Sequence, residues 1–187
     1  NAGSLNGVTQ ISGLGNETVI ASDSTVDASA LNTLSAYTEG TVNVTGATAI
    51  NGSAADVATA LADTQISHTN TFDVTLTATS AAATDLTAID TATTKVVDGN
   101  LVTTLTGTAA AIAAAAQLDI DGTTTLKADF GATVDAGAVN ASDLNLISGR
   151  TTATVVATAA TAINGSAADV AAALADTQIS HTNAFDV

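Results

Sequence analysis

The chain contains no cysteine, proline, methionine or tryptophan, and its 187 residues include one tyrosine and three phenylalanines. Without cysteine there is no disulfide framework and no thiol chemistry. Without large aromatics an ordinary irregular core is hard to build, since a large buried side chain contributes roughly 1.5–3 kcal/mol. The core must then come from Val, Ile, Leu and Ala, which suit elements stacked closely and regularly. Basic residues are also scarce. Lys95, Lys127 and Arg150 stand against 18 acidic residues, for a formal net charge of -15. Such a surface repels phosphate backbones and anionic membranes, which excludes nucleic acid as a partner. The longest weakly polar run, Ala109 to Ala116, is far below the ~20 residues that cross a bilayer, so membrane insertion is not expected. Asn1 opens a polar, Gly-containing stretch with no signal-peptide pattern.

Ala and Thr dominate what remains. Charged residues make up only 11% of the chain and the mean hydropathy is +0.37, unlike a disordered acidic tail. The main signal is internal repetition. Thr48 to Val74 reads TAINGSAADVATALADTQISHTNTFDV, and Thr161 to Val187 repeats it with changes only at Thr59/Ala172 and Thr71/Ala184. Beneath this duplication lies a weaker period. Gly52, Gly107 and Gly165 each precede a Ser- or Thr-led alanine-rich segment, Gln10, Gln65, Gln117 and Gln178 follow such segments, and Leu31, Leu86 and Leu144 occupy matching positions. The implied period is about 55 residues, each holding two units of about 27, within the range of solenoid repeats. The array is read as one domain over 1–187, with approximate repeat starts at 17, 72 and 125.

Helices are expected after Ser53 and Ser166, with Asp56 and Asp169 completing a variant capping box. Val57 and Leu61, and Val170 and Leu174, then share one helical face, as do Leu31/Leu34, Leu86/Ile89 and Leu144/Ile147. Strands are expected at Thr18–Ile20, Thr41–Thr45, Asp73–Thr77, Leu101–Thr106, Thr123–Lys127 and Thr151–Ala157. The fold class is therefore α/β: a repetitive parallel solenoid of strand–helix units, with a β-solenoid containing few helices as the alternative. Parallel strands repeat at about 4.8 Å and packed helices at about 8–10 Å. A stack of single strand–helix units must therefore curve, or else each long period makes one larger coil. Val57, Leu61, Val170, Leu174, Leu31, Leu86, Leu144, Ile50, Leu105 and Ile163 are expected to line one apolar interior.

The phrasing of GSAADVATALADTQIS and AATDLTAIDTATTKVVDG resembles the Ala/Thr/Asp-rich repeat arrays of giant secreted, adhesin-like cell-surface proteins of marine bacteria, cyanobacteria especially. That resemblance implies an extracellular location, at the cell surface or in a secreted filament. It also raises calcium and surface glycans as partners, although the glycine-rich nonapeptide calcium repeat of secreted adhesins does not occur here.

No catalytic, cofactor-binding or metal site emerges from the residues. His68 and His181 are repeat copies in QISHTN and have no basic or thiol partner nearby in sequence, so triad chemistry lacks its parts. Asp119-Ile120-Asp121-Gly122 resembles the start of a calcium loop but lacks the closing Glu; it reads as a polar turn between helix and strand, as does Asp98-Gly99-Asn100. With only Glu17 and Glu39 beside the aspartates, no carboxylate pair for sugar hydrolysis stands out. Thr75-Leu76-Thr77, Thr104-Leu105-Thr106 and Thr123-Thr124-Thr125 would form hydroxyl rows if aligned, so a ligand-binding face for ice or carbohydrate is the second reading. Sequons occur at Asn16, Asn43, Asn51, Asn140 and Asn164. The expected function is a non-enzymatic structural or adhesive segment, an excerpt of a longer array, whose partners are neighbouring repeats or copies of itself end to end.

Overall fold

A computed structural model describes residues 15–182. In chain order the elements are β1 (Val19–Ile20), β2 (Thr25–Asp27), α1 (Ala28–Tyr37), β3 (Val42–Asn43), β4 (Ala49–Gly52), α2 (Ala54–Ala62), β5 (Ile66–Ser67), β6 (Asp73–Leu76), β7 (Ser80–Ala82) and α3 (Ala83–Ala92). They continue as β8 (Val97–Gly99), β9 (Thr104–Gly107), α4 (Ala109–Asp121), β10 (Thr124–Leu126), β11 (Gly131–Val134), β12 (Gly137–Asn140), α5 (Ala141–Arg150), β13 (Val155–Val156), β14 (Ala160–Asn164), α6 (Ala167–Ala175) and β15 (Ile179–Ser180). The chain is α/β with parallel sheets, as the alternating pattern predicts. The six helices among the described residues argue against the helix-poor alternative.

Four of the six described helices start behind a polar side chain that caps them, whereas α3 and α5 have no side-chain cap bond. Asp27, Ser53, Thr108 and Ser166 each accept the backbone N–H three residues on, at 3.1, 3.1, 3.2 and 3.1 Å. The predicted capping box takes a different form. The Ser53 and Ser166 hydroxyls donate to the Asp56 and Asp169 carboxylates, both at 2.6 Å.

Every strand pairing is parallel, and each links a strand to one further along the chain. The sheets run β1-β3-β5, β2-β4-β6-β8-β10, β7-β9-β11-β13-β15 and β12-β14. Thr25 pairs with Ala49, Ala49 with Asp73, Val74 with Val97 and Val97 with Thr124. The chain thus meets the same ladder about twice in each long period. One large coil per long period is excluded by this register. One return of the chain holds one helix and two or three strands.

The helices keep a longer interval than the ladder. They begin at 28, 54, 83, 109, 141 and 167. Each therefore starts later than the strand register alone would place it, by a short step and a longer step in alternation. At each longer step an extra strand precedes the helix: β7 before α3, packed against α2, and β12 before α5, packed against α4. Successive helices therefore do not keep step with the strand ladder, which repeats at the strand spacing. Every helix packs against the next in order, from α1 through α6. The interval from α3 to α5 is slightly longer than that from α1 to α3, the excess arising in the longer α4.

Leu31, Ile50, Val57, Leu86, Leu105, Leu144, Ile163 and Val170 are buried in one cluster, as expected, with Phe72 and Phe130 fully enclosed beside them. Two expected members fall outside it. Leu61 is half-buried at its edge, and Leu174 is 37% exposed. The difference between these repeat copies has a plain cause: α3 lies over α2, while no helix among the described residues follows α6.

Candidate functional site

The residues named for chemistry are dispersed, and their partners are structural. His68 Nδ1 lies 2.7 Å from the Thr69 carbonyl oxygen, and its ring meets Phe72 edge-on with centroids 5.5 Å apart. His181 Nδ1 faces the Thr182 carbonyl in the same manner at 3.4 Å. Asp119 and Asp121 belong to the last turn of α4 and not to a loop; the turn itself begins at Gly122, the left-handed cap with φ 76°. Asp119 is buried, accepts the Leu126 N–H at 2.7 Å and pairs with Arg150 at the end of α5. Asp121 accepts from Gln117 at 2.8 Å. Asp98 and Gly99 lie in β8, and only Asn100 and Leu101 form the turn. Among the described residues no cluster of three or more His, Asp or Glu is placed to hold a metal ion. No described helix is long and apolar enough to cross a membrane.

The threonines do not align into long rows. Thr75 pairs with Asn51 on one side and Asp98 on the other, and Asp98 with Thr125. Thr106 neighbours Thr133, but Ala82 and Val156 flank them. Thr124 is fully buried. Of the sequon asparagines, Asn16, Asn140 and Asn164 are exposed, while Asn43 and Asn51 are half-buried in strands.

One polar device recurs in every long period, and a second in the first and last. Thr38, Thr93 and Thr151 cap the C-termini of α1, α3 and α5 and are all buried. Their hydroxyls donate to the carbonyls of Glu17, Phe72 and Phe130, at 2.9, 2.8 and 2.5 Å. Each also accepts a backbone N–H two residues on, from Gly40, Lys95 and Ala153. The phase of 17 and 72 thus recurs at 130 rather than near 125, because α4 displaces it. In the second device, Ser35 donates to Asp63 at 2.5 Å, and Gln65 reaches back to the carbonyls of Thr38 and Gly40 at 3.2 and 3.3 Å. Ser148, Asp176 and Gln178 repeat this arrangement onto Thr151 and Ala153. A buried carbonyl left unpaired costs about 1–3 kcal/mol, so these side chains fasten neighbouring returns of the chain where they occur. Sequence reasoning used the glutamines as phase markers but missed the threonine caps. Their recurrence in step with Leu31, Leu86 and Leu144 was the available signal.

A concave surface lies at the C-terminal end of the described stack. Ile163, Asn164, Gly165, Ala167, Val170, Ala171 and Leu174 line an open, mostly apolar groove of about 520 Å³ along β14 and α6. Their repeat copies, Ile50, Asn51, Gly52, Ala54, Val57, Ala58 and Leu61, are buried or half-buried beneath β6, β7 and α3. Gly52 and Ala54 are buried, whereas Gly165 and Ala167 are exposed. Among the described residues the other end is open as well. Ile20 in β1 is 72% exposed and Tyr37 in α1 is 61% exposed. No family model, curated protein or solved structure matches this chain.

Proposed function

We propose that this chain is a non-enzymatic, extracellular structural or adhesive segment, a parallel α/β solenoid that serves as an elongated surface or filament scaffold. The observation that carries the reading is the register. Each strand pairs only with strands about one return of the chain away, and each helix packs on the next in order. That is the nearest-neighbour pattern in which stability is a sum over repeats and length is free to grow. Buried threonine caps at the long period, and Ser–Asp–Gln clusters in the two duplicated segments, serve the same end, holding one turn to another. Short, interrupted threonine rows favour this structural role over an ice- or carbohydrate-binding face. An acidic chain without cysteine, rich in Thr and poor in Lys, suits a secreted location.

The reading is tested by concatenation. By sequence phase, Val187 matches Val74 and Val74 matches Val19, so Val187 joined directly to Ile20 continues the repeat. Chains of one, two and three such copies are measured by small-angle scattering and electron microscopy. Rods of constant width, growing by about 4.8 Å per turn, are expected. Particles that thicken in all directions as copies are added would refute the scaffold role.

A further inference from the structure

We infer that Ser35 and Gln65, and their counterparts Ser148 and Gln178, are sites of self-made ester cross-links that join one turn of the chain to the next. The observation is a buried hydroxyl held between a carboxylate and an amide, present twice. Ser35 sits on α1 and is 6% exposed, and Ser148 sits on α5 and is 4% exposed. Ser35 donates its one proton to Asp63 Oδ2 at 2.5 Å. The lone pairs of the hydroxyl are left toward Gln65, whose Oε1 lies 3.4 Å away. Ser148 donates likewise to Asp176, with Gln178 Oε1 at 3.5 Å. The amides are held in place. Gln65 Nε2 donates to the carbonyls of Thr38 and Gly40, and Gln178 Nε2 to those of Thr151 and Ala153. The carbonyl end of each amide therefore faces the serine. Asp63 is fixed as well, because its second oxygen accepts the Gln65 N–H at 2.9 Å, as that of Asp176 accepts the Gln178 N–H at 2.8 Å.

A nucleophile, a base in contact with it and an acyl group within reach are the parts of acyl transfer. The hydroxyl already touches the amide, and reacting atoms placed about 3–3.5 Å apart need no chance encounter. Ser35 Oγ bonds to Gln65 Cδ while its proton passes to Asp63. The Cδ–Nε2 bond then breaks, Nε2 takes the proton from Asp63 and leaves as ammonia, and Asp63 is a carboxylate again. An alcohol and an amide become an ester and ammonia, and no other reactant is consumed. Burial of the serine keeps water, the competing nucleophile, from the new bond. Each site reacts once, so this is maturation and not turnover. The middle of the chain is a built-in control. By helix and strand phase, Asp90 stands where Ser35 does and Thr123 where Gln65 does. Thr124 donates to Asp90 there at 3.1 Å, and that junction has neither the serine nor the glutamine.

The bond is read by mass, whether or not the chain is a scaffold. The folded 187-residue chain is expected to be lighter than its sequence by two molecules of ammonia. Digestion should yield one peptide pair joined through Ser35 and Gln65 and another joined through Ser148 and Gln178. Mild base, which cleaves esters and spares amides, should separate both pairs. Ser35→Ala and Gln65→Glu, compared as folded chains by circular dichroism, should each forgo one ammonia loss and its peptide pair. Gln65→Glu keeps the size of the side chain and removes only the leaving amine. Asp63→Asn should slow the first loss by roughly a hundredfold, as removal of a positioned base does. Closure of Asn51–Gly52 or Asn164–Gly165 to a succinimide also expels ammonia, but it would persist in a Ser35→Ala, Ser148→Ala double variant. A folded chain at its full sequence mass, or an ammonia loss that survives in that double variant, overturns the assignment.

Discussion

Replacing Thr93 with valine tests whether the threonine caps stabilise the stack. Thr93 is 8% exposed. Its hydroxyl donates to the Phe72 carbonyl at 2.8 Å and accepts the Lys95 N–H at 3.1 Å. Valine keeps the branched shape but offers neither bond. With each hydrogen bond worth about 0.5–1.5 kcal/mol net, the loss is about 1–3 kcal/mol. Serine keeps the hydroxyl and loses one methyl group, for about 0.8 kcal/mol or less. For a urea slope of about 2 kcal/mol per molar, Thr93→Val should lower the unfolding midpoint by about 0.5–1.5 M. Thr93→Ser should lower it by less than about half a molar. Thr151→Val should behave like Thr93→Val, since its hydroxyl bonds Phe130 and Ala153 in the same way. An unchanged midpoint for Thr93→Val, or a serine variant as damaged as the valine one, would refute the argument that these hydroxyls fasten one turn to the next.

Leu86 is fully buried, so Leu86→Ala should cost about 2–5 kcal/mol in the same unfolding assay. Because α3 covers Leu61 and no described helix covers Leu174, Leu61→Ala should destabilise the chain more than Leu174→Ala, the latter by no more than about 0.5 kcal/mol; equal costs would contradict the assigned cover. A Cβ at Gly52 would lie 3.0 Å from the Ala28 Cβ and 3.2 Å from the Val57 Cγ2, so Gly52→Ala should cost about 1–3 kcal/mol by overpacking. Arg150→Leu leaves the buried Asp119 without its cation. It should cost about 1–3 kcal/mol, less than for a wholly enclosed pair because Arg150 is partly exposed. Adding Asp119→Leu should recover part of that loss, measured as a double-mutant cycle.

The helices and the period were legible because Ser53, Ser166, Leu31, Leu86 and Leu144 recur with helical spacing around alanine-rich runs. All six strands expected from β-branched runs overlap an observed strand, with shifted bounds. The extra strands before α3 and α5 were not legible. β7 (Ser-Ala-Ala) and β12 (Gly-Ala-Val-Asn) have little intrinsic strand preference and exist because a neighbouring turn supplies a ladder. The drift of the helices was hidden for the same reason: it is set by pairings between turns, which composition does not record. The polar turn expected at Asp119–Gly122 proved to be mostly helix. Asp119 finds its partners in Leu126 and in Arg150, a full helix further along the chain, and no local pattern announces that contact. The groove was partly legible, since Val170 and Leu174 were placed on one face. That the face is open depends on what packs over α6, a matter of three-dimensional neighbours.

Because the helices advance relative to the ladders, no outward row of side chains in the described residues extends beyond five strands. Five strands span about 19 Å. A flat lattice plane would meet only short patches of matching groups, however many turns the whole array contains. The same advance shapes where growth can occur. The sheets that begin within the molecule begin on a helix, with β7 against α2 and β12 against α4, instead of presenting a bare flank. A strand edge laid against a helix offers a stray strand few free backbone groups to pair with.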